Sequence, residues 1–197
     1  MAIGDNYLTR DELKAYMGLE TNATDDEVDA AISSASREIE RHCRRQSNDA
    51  ETATARRYRP SDPYSLAVDD FWTADGFKLE TDQGDGAWAE VPATEYELSP
   101  LNRMVNGLPW TYWRVDLVGS VSLSAGPVRV TARWGWESVP ADIRQAMKML
   151  ASDTFQLRDS RMGVAGSDQF GTIVRVRANG LVEAKLKHYV RSKVLVA

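Results

Sequence analysis

Apolar residues recur at helical spacing near both ends of the chain and alternate, strand-like, between them. Val28, Ala31, Ile32, Ala35, Ile39 and Cys43 fall three to four residues apart, which predicts an amphipathic helix of about five turns. A shorter helix precedes it, with Leu13, Tyr16 and Met17 on one face. Thr9 to Glu12 reads as a capping box, and Gly18 is a natural C-terminal stop. Thr24 to Glu27 reads as a second capping box, whose three acids suit the positive end of the helix dipole. A third helix is predicted after Pro140, which suits a first helical position. Its stripe is Ile143, Ala146, Met147, Leu150, Thr154 and Leu157.

The middle, roughly residues 52 to 136, reads as β structure. Turn signals such as Asn106-Gly107 and Gly84-Asp85-Gly86 punctuate it. Phe77 to Thr81, Trp113 to Val118 and Val128 to Trp134 alternate between apolar and polar. Short strands at this spacing predict a small antiparallel sheet or sandwich. Trp134-Gly135-Trp136 marks the join where alternation gives way to helical periodicity. On a strand the two rings point to one face, and Gly135 leaves the other bare for close approach. The pair, with Pro140, is expected to pack the β insertion on the third helix. Beyond it, residues 158 to 168 are polar and Gly-rich and read as a mobile loop. Thr172 to Arg177 alternates as a strand does, and Leu181 to Val190 reads as a short helix. The fold class is therefore α+β: a small helical core, a large antiparallel β insertion, and an extended or partly helical C-terminal arm. The expected divisions are 1–54, helical core; 55–136, β insertion; 137–160, third core helix; 161–197, mobile loop and docking arm.

Composition narrows the function. The chain has 197 residues and a formal net charge of −5, so no global attraction to nucleic acid is expected. Its single cysteine, Cys43, forms no internal disulfide, as in a reducing compartment. The N-terminus has no apolar core of a signal peptide, and no apolar run reaches membrane-spanning length. Charge is uneven. Residues 59 to 100 hold ten acids and two bases, whereas residues 171 to 197 hold six bases and one acid. Two solvated surfaces explain this, as does a head-to-tail arrangement of copies.

No catalytic constellation stands out. His42 and Cys43 are adjacent on a helix, diverge by about 100° and have no further ligands at chelating spacing. Cys43 has no identifiable base partner. Neither Gly-rich stretch has the pattern of a phosphate loop, and residues 82 to 86 lack the ligand set of a calcium loop. Arg56-Arg57-Tyr58-Arg59 and Arg175-Val176-Arg177 mix bases with an aromatic or a strand, as stacking platforms for nucleic acid do. Both are short, and ordinary surface explains them as well. The expectation is a non-enzyme without cofactor or metal.

The opening LTRDELKAYMGL and the acid-capped DDEVDAAISSASREIERHCRR resemble the head-tail connector (head-to-tail adaptor) proteins of tailed bacteriophages. Ile32, Ala35, Ile39 and Glu40 match the core of that family's second helix. Trp134-Gly135, Val139-Pro140, Gln145-Ala146 and Leu150-Ala151 match the strand end and following helix. Arg158-Asp159-Ser160 and Gly163 suit the family's mobile loop. Roughly residues 55 to 127 depart from its shortest members as a β insertion.

The resemblance implies a structural virion protein at the neck, made in the host bacterial cytoplasm. Such adaptors form a ring, typically a dodecamer, beneath the portal. The ring extends the DNA channel without sequence-specific binding and offers a platform to a head-closure, stopper or tail protein. No membrane is involved. The C-terminal segment engages the portal in relatives, which makes Arg175, Arg177, Lys185, Lys187, Tyr189, Arg191, Lys193 and Leu195 the candidate docking residues. The alternatives are another neck component (head closure or tail terminator), a nucleic-acid-binding module, or a carbohydrate-binding β domain suggested by six Trp.

Overall fold

The computed structural model describes residues 3–21, 24–123, 126–157 and 180–191. The architecture is α+β, in two compact units. One comprises Met1–Ile3, Asn48–Ser138 and Ser192–Ala197 and is termed the β unit; the other comprises Gly4–Ser47 and Val139–Arg191 and is termed the helical unit.

In the helical unit, α1 spans Arg10–Met17. Its capping box forms as expected: the Glu12 N–H donates to Thr9 Oγ1 at 3.2 Å, and the Thr9 N–H donates to Glu12 Oε2 at 2.9 Å. Gly18 ends the helix with φ +69°. The buried face differs from the expected one. Leu13 is buried and Tyr16 is exposed, while the Lys14 stem lies inside so that its ammonium meets Asp25 at 2.9 Å. A long aliphatic stem covers apolar surface as an aromatic does, provided its charge finds a partner.

Helix α2 spans Asp25–Cys43 and buries all six expected apolar residues. Its capping box does not form. Thr24 has φ −120° and ψ +19°, and its side chain makes no cap hydrogen bond. The first turn instead serves α1, because Arg10 pairs with Asp25 at 2.9 Å and also with Asp29. Helix α3, Ala141–Leu157, buries Ile143, Ala146, Met147 and Leu150, adding Ala151 and Phe155. Pro140 stands one residue ahead of it, where its carbonyl accepts the Arg144 N–H at 2.9 Å. That position uses the carbonyl as the first helical acceptor and asks nothing of the missing N–H. Helix α4, Gly180–Leu186, and the helical turn Lys187–Tyr189 complete the unit. Arg144 also pairs with Glu12.

The β unit holds nine strands among the described residues: β1 (Thr54–Tyr58), β2 (Ser65–Phe71), β3 (Lys78–Gly84), β4 (Ala87–Glu90), β5 (Tyr96–Ser99), β6 (Met104–Val105), β7 (Leu108–Pro109), β8 (Tyr112–Leu117) and β9 (Val128–Ala132). They form antiparallel sheets of order β1-β9-β3-β4 and β2-β8-β5, with a separate β6-β7 hairpin. The two larger sheets share one apolar core. Leu66, Val68 and Phe71 from β2 and Val115 from β8 meet Leu79 from β3 and Val128, Val130 and Ala132 from β9. Strand β2 lacks a clear apolar alternation because an acid, Asp70, takes one inward position and is buried. The expected strand at Thr172 to Arg177, the loop at 158 to 168 and the apolar end at 194 to 197 lie outside the described residues.

Candidate interaction surfaces

The Trp-Gly-Trp join is clamped by backbone on both sides and belongs to the β unit. Asp49 and Gly135 form a β-bridge, as do Phe71 and Trp134. Gly135 has φ +92°, and a Cβ there would lie 1.6 Å from the Asn48 carbonyl oxygen. Close approach is thus what the glycine permits, and the approaching backbone is the chain's own. The positive φ also breaks the strand geometry that was expected to set both rings on one face. Trp134 enters the sandwich core, edge-on to Phe71 at 6.1 Å, and its indole N–H donates to the Thr54 carbonyl at 2.9 Å. Trp136 packs edge-on against Trp110 at 5.0 Å and donates to Asp70 Oδ2 at 3.3 Å. These partners all lie within the β unit.

Asp49 braces the join. Arg133 donates to it at 2.9 Å while stacking over Trp72, whose own N–H donates to Asp49 at 3.0 Å. Burial alone raises the Asp49 pKa, but the hydrogen bonds from Arg133, Trp72 and the Glu51 N–H outweigh it and hold it below the usual carboxylate range. A second bracket crosses the larger sheet. Arg129 forms a two-pronged pair with Glu80 at 2.6 and 2.5 Å, and Arg129 and Arg57 both stack on Trp88.

These brackets absorb two motifs that suggested ligands. In Arg56-Arg57-Tyr58-Arg59, Arg56 pairs with Asp69 at 2.6 Å and covers Trp134, while the Tyr58 hydroxyl donates to Asp69 at 3.0 Å. Within that run, Arg59 stands exposed. No Trp is fully exposed: Trp110, Trp134 and Trp136 are buried, and Trp72, Trp88 and Trp113 are half-buried, each under an arginine.

The candidate docking residues divide. Arg175, Arg177, Lys193 and Leu195 lie outside the described residues. Tyr189 and Arg191 are buried, and the Arg191 N–H donates to the Cys43 carbonyl at 2.9 Å. Lys185 reaches Asp142 on α3 at 3.1 Å. Lys187 is exposed. It lines an open groove with His42, Gly180, Glu183, Ala184 and Val190, between the end of α2 and α4. The helix stripe could have revealed Tyr189 as core, since it shares a face with the buried Leu186 and Val182.

Cys43 is buried, and burial pushes its thiol up to about 11 against the opposing pull of Arg45, far from a reactive thiolate. Among the described residues no cluster of His, Cys, Asp or Glu is arranged to hold a metal, and no helix is long and apolar enough to cross a membrane.

No protein-family model and no curated protein matches the chain. Solved structures do. A chain of the neck of an empty gene transfer agent particle, computed with C6 symmetry, matches with a TM-score of 0.58 and 19% identity, over 97% of this chain and 93% of that one. The fold is that of a particle-neck chain. A chain of the virion of a native gene transfer agent particle matches with a TM-score of 0.57 and 18% identity, over 100% of this chain and 95% of that one. The likeness runs through both units, so the β unit is part of the shared architecture.

Proposed function

We propose that the chain is a structural neck protein of a phage-like particle, and within the neck a head-to-tail adaptor. In this role copies form a ring under the portal, extend the DNA channel and present a platform to the next neck or tail protein. The observation that carries the reading is the match to a gene transfer agent neck chain over nearly the full length of both. The residue resemblance at α1, α2 and the Trp-Gly join supports the finer assignment. So does the chemistry of the surface. Net charge is negative. Several arginines are already engaged: Arg56 by Asp69, Arg129 by Glu80, Arg133 by Asp49, and Arg114 over the ring of Trp113. A channel wall of this kind holds passing DNA weakly. The ring is taken as a dodecamer from the family resemblance.

The test is to add the purified chain to portal-bearing, tail-less heads and image the vertex by electron microscopy. A new ring beneath the portal is the expected result. No added density with a folded protein overturns the adaptor reading and moves the assignment to head closure or tail termination. Portal engagement is proposed for the C-terminal segment, with Arg175, Arg177, Lys193 and Leu195 as its contacts. A chain ending at Arg191 keeps the buried Val182, Leu186 and Tyr189 while removing Lys193 and Leu195, and is expected to lose portal binding. Ending the chain at Asn179 is a poorer test, because it strips that core as well.

A further inference from the structure

The four-stranded sheet turns Leu79, Val128 and Val130 to the apolar core, and its other face carries one row of charges from edge to edge. Cross-strand pairing aligns Arg57 on β1 with Arg129 on β9, Arg129 with Glu80 on β3, and Glu80 with Glu90 on β4. The row reads two bases, then two acids. Its middle is satisfied, because Arg129 donates to Glu80 at 2.6 Å. Its ends are not. Arg57 and Glu90 each stand across from a like charge, which destabilises a sheet. Arg57 is exposed, rests on Trp88 at 5.3 Å and has no ion pair among the described residues. The Glu90 side chain is 59% exposed and reaches Lys78 only loosely, at 3.8 Å.

The same two strands are the backbone edges of the sheet. Among the described residues no backbone hydrogen bond reaches β1 from outside β9, or β4 from outside β3. Neither strand holds the proline or lysine that blunts many exposed edges. The edges of the other large sheet differ. The far side of β2 is taken at Phe71 by its bridge to Trp134, and at Asp70 by the Gly135 N–H at 2.6 Å. Strand β5 runs straight into Pro100. Every pairing from β1 through β9 and β3 to β4 is antiparallel, so β1 and β4 run in opposite directions. Setting β4 of one copy beside β1 of another continues the alternation.

We infer that β4 of one copy pairs antiparallel with β1 of a second copy of this chain, with Glu90 opposite Arg57. That register sets Trp88 opposite Arg59, which is exposed one pleat beyond Arg57. On the core-side face it sets the small Ala89 opposite Tyr58. Each end of the charged row gains an opposite charge, and the junction repeats the use that Arg129 already makes of Glu80 and Trp88 within one copy. Arg57 turns from its own Trp88, a ring that Arg129 still covers at 4.7 Å. An exposed acid elsewhere on the surface does not replace Glu90, because the contact needs an unpaired strand in this direction and register. Both surfaces belong to opposite sides of one sheet in the β unit, so the contact is heterologous and repeats head to tail, as the interfaces of cyclic rings do. The inference rests on the ring reading proposed above and names the contact that builds it.

The first experiment uses the full chain carrying both Arg57→Cys and Glu90→Cys. The two edges lie three strand spacings apart, roughly 14 Å, and a disulfide spans at most ~7 Å between Cα atoms. The new thiols therefore join only between copies, and the native Cys43 is buried. Mild oxidation is carried out in concentrated solution and again on portal-bearing heads, where rings are scored by electron microscopy. A ladder of covalent multimers on non-reducing gels is expected. A dimer as the main product of either single-cysteine variant reports pairing of like edges and overturns the inference. In the second experiment sedimentation measures self-association of Arg57→Glu, Glu90→Arg and the two together, with circular dichroism checking that each is folded. Each single reversal is expected to weaken association about 10-fold, and the double variant to recover most of it. Unchanged association in either reversal, or no recovery in the double variant, overturns the inference. Rings on heads without a ladder sink the inference alone. A ladder in solution without rings on heads sinks the adaptor reading alone, and neither ladder nor ring sinks both.

Discussion

The helical unit and the β unit use charge in different ways. In the helical unit, ions sit at helix ends and tie one helix to the next: Lys14 and Arg10 to the first turn of α2, Arg144 to Glu12, Lys185 to Asp142. The core beneath them is an aliphatic stripe from each helix. In the β unit, ions lie on or beside the sheet with aromatic rings between them, as in Arg57, Trp88, Arg129 and Glu80. A helix concentrates unsatisfied backbone at its ends, so charge is most useful there. A sheet has no such poles, and cross-strand pairs carry its specificity. Six Trp in the β unit are thus explained by the way that unit is held together.

All six Trp lie between residues 72 and 136, so intrinsic fluorescence reports the β unit while ellipticity at 222 nm reports chiefly the helices. Gly135→Ala is expected to break the comparison most sharply. It combines φ +92° with a Cβ 1.6 Å from a backbone oxygen, and should cost at least ~4 kcal/mol. Loss of the fluorescence transition in urea, or of soluble protein, checks it. A normal midpoint would show that the join is not clamped.

Trp134→Ala should cost about 3–5 kcal/mol and move the fluorescence midpoint, and Ile39→Ala about 2–5 kcal/mol, moving the 222 nm midpoint. Both side chains are 1% exposed. An unchanged melt for Trp134→Ala would remove that ring from the core it is assigned to here.

Each unit also sets a tyrosine against a carboxylate, Tyr7 buried and Tyr58 half-buried. The Tyr7 hydroxyl donates to Glu40 at 3.1 Å and the Tyr58 hydroxyl to Asp69 at 3.0 Å. Burial, chiefly, pushes both pKa values up. A group raised in the folded state supports stability fully below its unfolded pKa of about 10, and that support fades as pH climbs through the folded value. Urea midpoints should therefore fall as pH rises through about 10 and beyond. Tyr7→Phe and Tyr58→Phe should each flatten that fall at some cost at neutral pH. A slope unchanged in both variants would assign alkaline loss to other groups.

The smallest contrast lies inside the helical unit. Thr9→Ala removes a formed capping box and should cost about 1 kcal/mol. Thr24→Ala removes a side chain that makes no cap hydrogen bond and should cost a few tenths at most. Thermal melts at 222 nm compare the two; equal losses would show that the α2 start is capped after all.

Legibility follows the range of the interactions. The stripes of α2 and α3, the Thr9 capping box and the Gly18 stop depend on residues within a turn or two, and the sequence pattern displays them. The second box at Thr24 is just as clear in pattern and does not form: Thr24 sits at φ −120°, ψ +19° and its side chain makes no cap hydrogen bond. Strand β2 is hidden by its inward Asp70, to which Trp136 donates from 66 residues away. The docking candidates come from the family resemblance, and their residue types do not tell a surface lysine such as Lys187 from a buried Arg191.

By itself the sequence determined the α+β class, the three main helices, a β-rich middle and the close approach at Gly135, since each follows from local spacing or backbone freedom. Tertiary structure alone decided which strands share a sheet, that Trp134 and Trp136 part company at the join, and which charges are matched and which stand open. Those outcomes depend on partners tens of residues distant, and no local pattern encodes where such partners will meet.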